Sequence, residues 1–396
     1  MMKASHDCHF IATLYCSRRV HLKEHLQNNM TSSVLTSAPA SEKTATIGAK
    51  IAIPDDTELL RTASKVTRDL NAPKPVIYWT DLLASVAVGY GALFVTIAAS
   101  NTALAFAAAL VSLLALYRAG SFIHELTHIS KHALPGFRLA WNILVGVPLL
   151  LPSFLYEGVH NLHHARTRYG TVEDPEYLPL ALMKPWTVPA FVIVAGLAPV
   201  GLLFRFAVLA PLSVLIPPLR KVVAERYSGL IINPEFRRRP AEGALRLQWR
   251  AQEIACSIWA ITLLTAVATG FVPLRSFLIF MGIISGSVVL NQIRTLVAHL
   301  WENDGEVMTV TAQYLDSVNV PPPSALPALW APVGLRYHGL HHLLPGLPYH
   351  ALGEAHRRIV AALPTEGTYA RSNHRNLSGL VNRLVRSTLG QRPANG

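Results

Sequence analysis

Residues 102–128 read TALAFAAALVSLLALYRAGSFIHELTH, a mainly apolar run over 102–122 that leads straight into His124-Glu-Leu-Thr-His128. About 20 consecutive apolar residues suffice for a helix to cross a hydrocarbon core of about 30 Å. Positions i, i+4 and i+8 of a helix share one face, so His124, His128 and His132 are expected to converge where the segment leaves the membrane. A membrane helix that ends in paired imidazoles decides the reading of the whole chain.

Three further runs have the same length and polarity. Residues 76–99 precede the first and are joined to it by Ser100-Asn101. Residues 252–272 and 275–298 form a second pair, with a turn near Gly270 and Pro273. The expected fold is therefore all-α and integral to the membrane, with four transmembrane helices arranged as two hairpins. Residues 139–155 hold Pro148 and Pro152 and are short, which suits an interfacial or re-entrant helix. Residues 187–217 are interrupted by Pro189, Pro199, Pro211 and Pro217 and carry Arg205 at their centre. A central Arg costs about 2.5 kcal/mol or more in a lipid-facing span. Two short helices lying in the interface, with no crossing, are expected there. If the histidines form one site, this segment must make an even number of crossings.

Composition agrees with this reading. The 396 residues are 51% hydrophobic and only 15% charged, below the roughly 25% charged residues of a soluble domain. The net charge of +12 comes from basic residues flanking apolar runs, among them Arg220, Lys221, Arg226 and Arg237 to Arg239. That placement favours a cytoplasmic membrane face over nucleic acid and puts both termini and the histidines inside. Cys8, Cys16 and Cys256 support neither a disulfide framework nor a thiolate metal site. Residues 1–50 read as a disordered extension, with Met30 as an alternative start. Residues 51–363 are expected to form a single membrane domain, with 351–363 as an amphipathic interfacial cap helix. Residues 364–396 read as a polar tail.

The 17 histidines cluster. His160-Asn-Leu-His163-His164 and His338-Gly-Leu-His341-His342 share the spacing HxxHH, which groups three rings on one helical turn. His299 adds another at the end of the last span. Imidazole suits Zn, Cu, Fe and Ni, and nine such groups exceed what one tetrahedral zinc takes. Two metals of higher coordination number are expected, and iron with open positions for O2 makes chemical sense beside a membrane.

The pattern HxxxH, HxxHH, HxxHH, with two hairpins and an isolated His before the last box, resembles the membrane fatty acid desaturase family over roughly residues 76–360. The flanking text Arg294-Thr-Leu-Val-Ala-His299, and Tyr337 to His350, is similar to bacterial members. The resemblance implies a di-iron centre ligated by His124, His128, His160, His163, His164, His299, His338, His341 and His342, in a bacterial inner membrane. It also implies O2 as co-substrate and a long fatty acyl substrate. In acyl-CoA desaturases an Asn four residues before the isolated His contributes through a water; that position here is Thr295. His132 and His350 lie outside the matched set. Asp174 and Glu176 are candidates to hydrogen-bond ligand imidazoles, as are Glu302, Asp304 and Glu306.

The expected reaction is desaturation, with hydroxylation of a lipid or alkane as the alternative. A second hydrogen abstraction gives an alkene; oxygen rebound gives an alcohol. The carrier of the acyl chain (phospholipid, coenzyme A or acyl carrier protein) stays open. No cytochrome-like segment, CxxC or nucleotide loop is present in the sequence, so electrons are expected from a separate ferredoxin, rubredoxin or cytochrome with its reductase. His124-Glu125-Leu-Thr-His128 also matches the HExxH of zinc proteases, but that reading leaves both HxxHH boxes unused.

Overall fold

The computed structural model describes residues 53–390, so the expectations for residues 1–50 and for Met30 fall outside the described residues. Among the described residues the chain is helical, with isolated bridges in place of strands. In chain order the helices used below are α1 (Thr57–Val66), α2 (Pro75–Ala98), α3 (Thr102–His128) and α4 (His160–His163). They continue with α5 (Thr187–Phe204), α6 (Ala210–Leu215), α7 (Pro217–Arg226), α8 (Gly243–Ala268) and α9 (Leu274–Leu296). The last are α10 (Val310–Asp316), α11 (His338–Leu343), α12 (Leu352–Ala362) and α13 (Leu377–Gly390).

Local chemistry explains the first hairpin. Pro75 opens α2, where its missing N–H costs nothing. The Asn101 side chain accepts from Leu104 N at 2.9 Å and starts α3. α3 runs six residues beyond the apolar stretch, so one rigid helix carries both the membrane segment and the first histidine pair. Between helices in lipid there is no hydrophobic driving force, and close approach and hydrogen bonds hold them. Gly89 supplies the approach: a Cβ there would lie 2.6 Å from Leu116 Cδ2 and 3.3 Å from its backbone N. Ser112 Oγ donates to Gly89 O at 2.9 Å across the same contact. On the other side of α3, Ser287 Oγ of α9 donates to Leu113 O. Gly89→Val should therefore overpack this seam and cost about 1–3 kcal/mol. A lower unfolding midpoint in detergent would show it; an unchanged midpoint would mean that the helices can separate freely here.

Among the described residues, five helical segments are long and apolar enough to cross a membrane, and at most 28% of the most apolar stretch of each is buried within the protein. Their outward faces carry exposed Phe94, Phe106, Ile193 and Ile258, as lipid contact requires. These features are consistent with an integral membrane protein. The fifth segment, Thr187–Leu215, departs from the sequence expectation. It is not two short helices but a 29-residue helical run in which a π turn, Arg205–Leu209, joins α5 to α6. Pro189 sits in the first turn of α5, Pro211 near the start of α6, and Pro217 begins α7. The carbonyl that Pro211 would obstruct, Ala207, lies inside the wider π turn, which removes the clash.

Arg205 is not lipid-facing either. It is 3% exposed and donates to Glu253 Oε1 at 2.8 Å, Ser228 Oγ at 3.0 Å and Tyr227 O at 2.6 Å. Val188 and Phe191, near the start of the segment, pack with Leu296 and Trp301 beside His299. After α7 the chain runs beside the loop that follows the second histidine box, where Ile232 N and Asn233 N donate to Pro175 O.

Residues 139–155 fold back on themselves. Asn142 and Ser153 hydrogen-bond twice and pin the two ends together. The apex of this segment is held by Tyr90 Oη on Leu144 O and Trp259 Nε1 on Pro148 O.

Two sequence expectations about the C-terminal region are corrected. α12 turns Leu352, Ala355 and Ile359 into a core shared with Leu59 and Ala63 of α1, so its apolar face is not on a membrane surface. Residues 364–396, read as a polar tail, contain α13, whose Leu380 and Leu384 are buried one turn apart. The mean polarity of that stretch hides a helical period.

Candidate metal centre

Each histidine reaches the centre on a differently built element. α3 projects His124 and His128 from its last turn. α4 is a single turn carrying His160 and His163, with His164 as its cap. α11 carries His338, His341 and His342, all buried. His299 follows α9 and is held in place by a bridge to Ser317.

Asn319, fully buried, organises the last box. Its Oδ1 accepts Leu340 N at 2.8 Å, and its backbone bonds to Ser372 O and from His374 N. Gly339 is needed for that approach, since a Cβ there would lie 3.1 Å from Asn319 Oδ1.

All eight box histidines and His299 come together, in two groups. Ligand nitrogens of His124, His128, His160, His164 and His341 lie within 4.8 Å of one another, as do those of His163, His299, His338 and His342. Nε2 faces Nε2 at 3.0 Å for His160 and His164, 3.1 Å for His128 and His341, and 3.0 Å for His299 and His338.

The opposite edges of three of the rings are turned to acceptors. His163 Nδ1 lies 2.9 Å from Asp174 Oδ2, and His160 Nδ1 lies 2.9 Å from both Glu176 Oε1 and Tyr156 Oη. His299 Nδ1 is 2.8 Å from Tyr169 Oη, which donates to Asp316 Oδ2 at 2.7 Å. An imidazole that donates from Nδ1 keeps a bare lone pair on Nε2. Lone pairs converging at 3 Å repel unless a cation lies among them. His124 adds two buried nitrogens with no partner in the protein. The donor set therefore fits two cations, one facing five imidazoles and one facing four.

Burial, reinforced by neighbouring imidazoles, drives His160, His164, His338, His341 and His342 well below the usual histidine range, toward the neutral form that binds metal. Burial pulls on His163 too, but the Asp174 carboxylate outweighs it and leaves this residue raised. Burial pushes Glu176 up to about 7 and Asp316 up to about 6. A bound cation would reverse that pressure.

The remaining candidates are placed elsewhere. His132 is exposed beyond the end of α3, which stops at His128 and so breaks the expected i+8 face. His350 Nε2 accepts from Lys74 N at the start of α2. Thr295 Oγ1 donates to Asn291 O at 2.9 Å, one turn back in its own helix. Asp304 and Glu306 are exposed, and Glu302 pairs with Arg383. The acid near His299 is instead Asp316, seventeen residues along, at 3.8 Å. Tyr156, Tyr169, Asp316 and Asn319 carry no sequence signal, apart from Tyr156 lying one turn before His160.

The protease reading fails on geometry. Glu125 Oε2 is occupied by Tyr78 Oη at 2.5 Å and Tyr349 N at 3.1 Å, and the residue is 3% exposed. It cannot serve as the base for a metal-bound water.

Comparison with known proteins agrees with this geometry. The family model for fatty acid desaturases matches residues 99–373. A ceramide hydroxylase of Caulobacter vibrioides (strain NA1000 / CB15N) is 50% identical over 331 residues, which cover 84% of this chain and 94% of that protein. Both support an oxidoreductase. All nine converging histidines fall inside the span that the family model matches, and the chain belongs to the fatty acid desaturase family.

Proposed function

We propose that this protein is an O2-dependent membrane lipid hydroxylase whose substrate is a ceramide or a closely related long-chain lipid. The observation that carries the reading is its 50% identity to a ceramide hydroxylase across 94% of that protein's length. The resemblance to desaturases leads to a double bond as the expected product; the likeness to a hydroxylase favours the alcohol. Thr295 agrees, because its hydroxyl is committed to Asn291 O where acyl-CoA desaturases place an Asn.

Two iron ions held by the nine histidines would supply an oxidant strong enough to break an unactivated C–H bond, which no side chain provides. The chain's own residues do the rest. Asp174, Glu176 and Tyr169 hold His163, His160 and His299 with Nε2 facing inward. Burial favours the neutral rings of His160, His164, His338, His341 and His342. The balance is R–H + O2 + 2 e⁻ + 2 H⁺ → R–OH + H2O, with the electrons delivered by a separate ferredoxin, rubredoxin or cytochrome and its reductase.

The topology that goes with this reading has four crossings, α2, α3, α8 and α9, with Thr187–Leu215 entering and leaving on the histidine side. Its support is the paired Arg205 and the return of residues 232–233 to Pro175. The basic flanks support a cytoplasmic location for that side, in a bacterial inner membrane.

The test is lipid mass spectrometry on cells expressing the wild type or His341→Ala, grown under isotopically labelled O2. A ceramide that gains one labelled oxygen only with the wild type is the expected result. Loss of two hydrogens would assign desaturation, and identical lipid profiles would sink both.

A further inference from the structure

Away from the histidines, on the same side of the protein, the start of α8 and helix α7 enclose a cavity of about 320 Å³. Its rim is basic: Arg220 and Lys221 from α7, Arg246 and Arg250 from α8. Phe154 and Trp249 form the apolar wall, with the Arg238 guanidinium 3.7 Å from the centre of the indole ring.

Glu253 is the lining carboxylate, and both its oxygens are already used, by Arg205 at 2.8 Å and Arg220 at 2.6 Å. Lys221 reaches Glu225 only at 4.0 Å. Arg246 and Arg250 are exposed and have no carboxylate partner among the described residues. Uncompensated cations around an open cavity call for an anionic oxygen ligand.

The level of the cavity relative to a bilayer narrows its source. Immediately before α7, Leu215 is 78% exposed, and within the first turns of α8 Leu247 is 64% exposed. Exposed apolar side chains interleaved with Arg and Lys mark an element lying at the headgroup boundary.

We propose that this cavity binds the phosphate head group of an anionic membrane phospholipid, with Arg246, Arg250 and Lys221 around the phosphate and Phe154 and Trp249 as its apolar wall. The lipid tails lie along the exposed apolar residues of α6 and α8. The site is separate from the metal centre and does not depend on which oxidation occurs there.

The experiment uses the full-length protein in detergent micelles, titrated with phosphatidylglycerol, phosphatidylcholine or inorganic phosphate, with the thermal unfolding midpoint as readout. Phosphatidylglycerol should raise the wild-type midpoint and phosphatidylcholine should not. The double variant Arg246→Gln/Arg250→Gln should need about tenfold or more phosphatidylglycerol for the same shift. Arg61→Gln, an exposed cation on α1, should behave as the wild type. Three outcomes would overturn the proposal: equal lipid response in the double variant, an equal loss in Arg61→Gln, or full reproduction of the shift by inorganic phosphate at the same concentration. Undiminished lipid response together with lost turnover from an acidic electron carrier would assign the rim to a protein partner and overturn it too.

Discussion

If the nine histidines hold two metals as proposed, the His341→Ala protein is expected to oxidise no lipid and to lose one of them while remaining folded. His341 is placed where two boxes meet: its Nε2 lies 3.1 Å from that of His128 and 3.2 Å from that of His164. Removing the ring deletes a donor shared by the groups from α3 and α4, and no neighbouring side chain can replace it. Partners of metal ligands are worth about 10–100-fold in affinity or activity, so loss of a ligand itself should exceed about 100-fold. Iron per chain, the unfolding midpoint and lipid product should be measured together. His132→Ala is the control, because that ring is exposed past the end of α3. Full iron content and turnover in His341→Ala would remove this residue from the centre.

The second large effect should come from a residue that touches no metal. Asp174 is fully buried, and its two oxygens accept from His163 Nδ1, Gly170 N and Glu176 N. Its own backbone O takes Asn233 Nδ2 at 3.0 Å, which ties the loop to the chain returning from α7. Asp174→Asn keeps the shape but turns one oxygen into an NH2 that faces a backbone N–H. A buried donor without a partner costs about 1–3 kcal/mol, and His163 loses the carboxylate that fixes its tautomer. Iron retention against a chelator should fall about 10–100-fold, with a smaller drop in the unfolding midpoint. Retention equal to the wild type would mean that the loop positions His163 without Asp174.

Hydrophobic length and helical spacing are local properties, and both were legible. Residues 76–99, 102–122, 252–272 and 275–298 each fall on a helix, with boundaries displaced where polar residues prolong the run. α8 begins nine residues before its apolar stretch, and α3 continues through His128. The HxxHH boxes declare themselves because i, i+3 and i+4 crowd one turn whatever surrounds them. What misled in residues 187–217 was reading each proline as a break. A proline breaks a helix by obstructing the carbonyl four residues back, and a π turn at Arg205–Leu209 leaves Ala207 room.

From the order of residues alone come the membrane helices, the three boxes, the isolated His299 and the chemical class of the centre, because each depends on near neighbours in the chain. Only the tertiary structure decides the division of nine histidines into groups of five and four. It alone also chooses Tyr169 and Asp316 over the nearer Glu302, Asp304 and Glu306 as the partners behind His299. Those contacts join residues 130 to 147 positions apart, and they are settled by which buried polar groups must find one another once α3, α4, α9 and α11 have closed around the site.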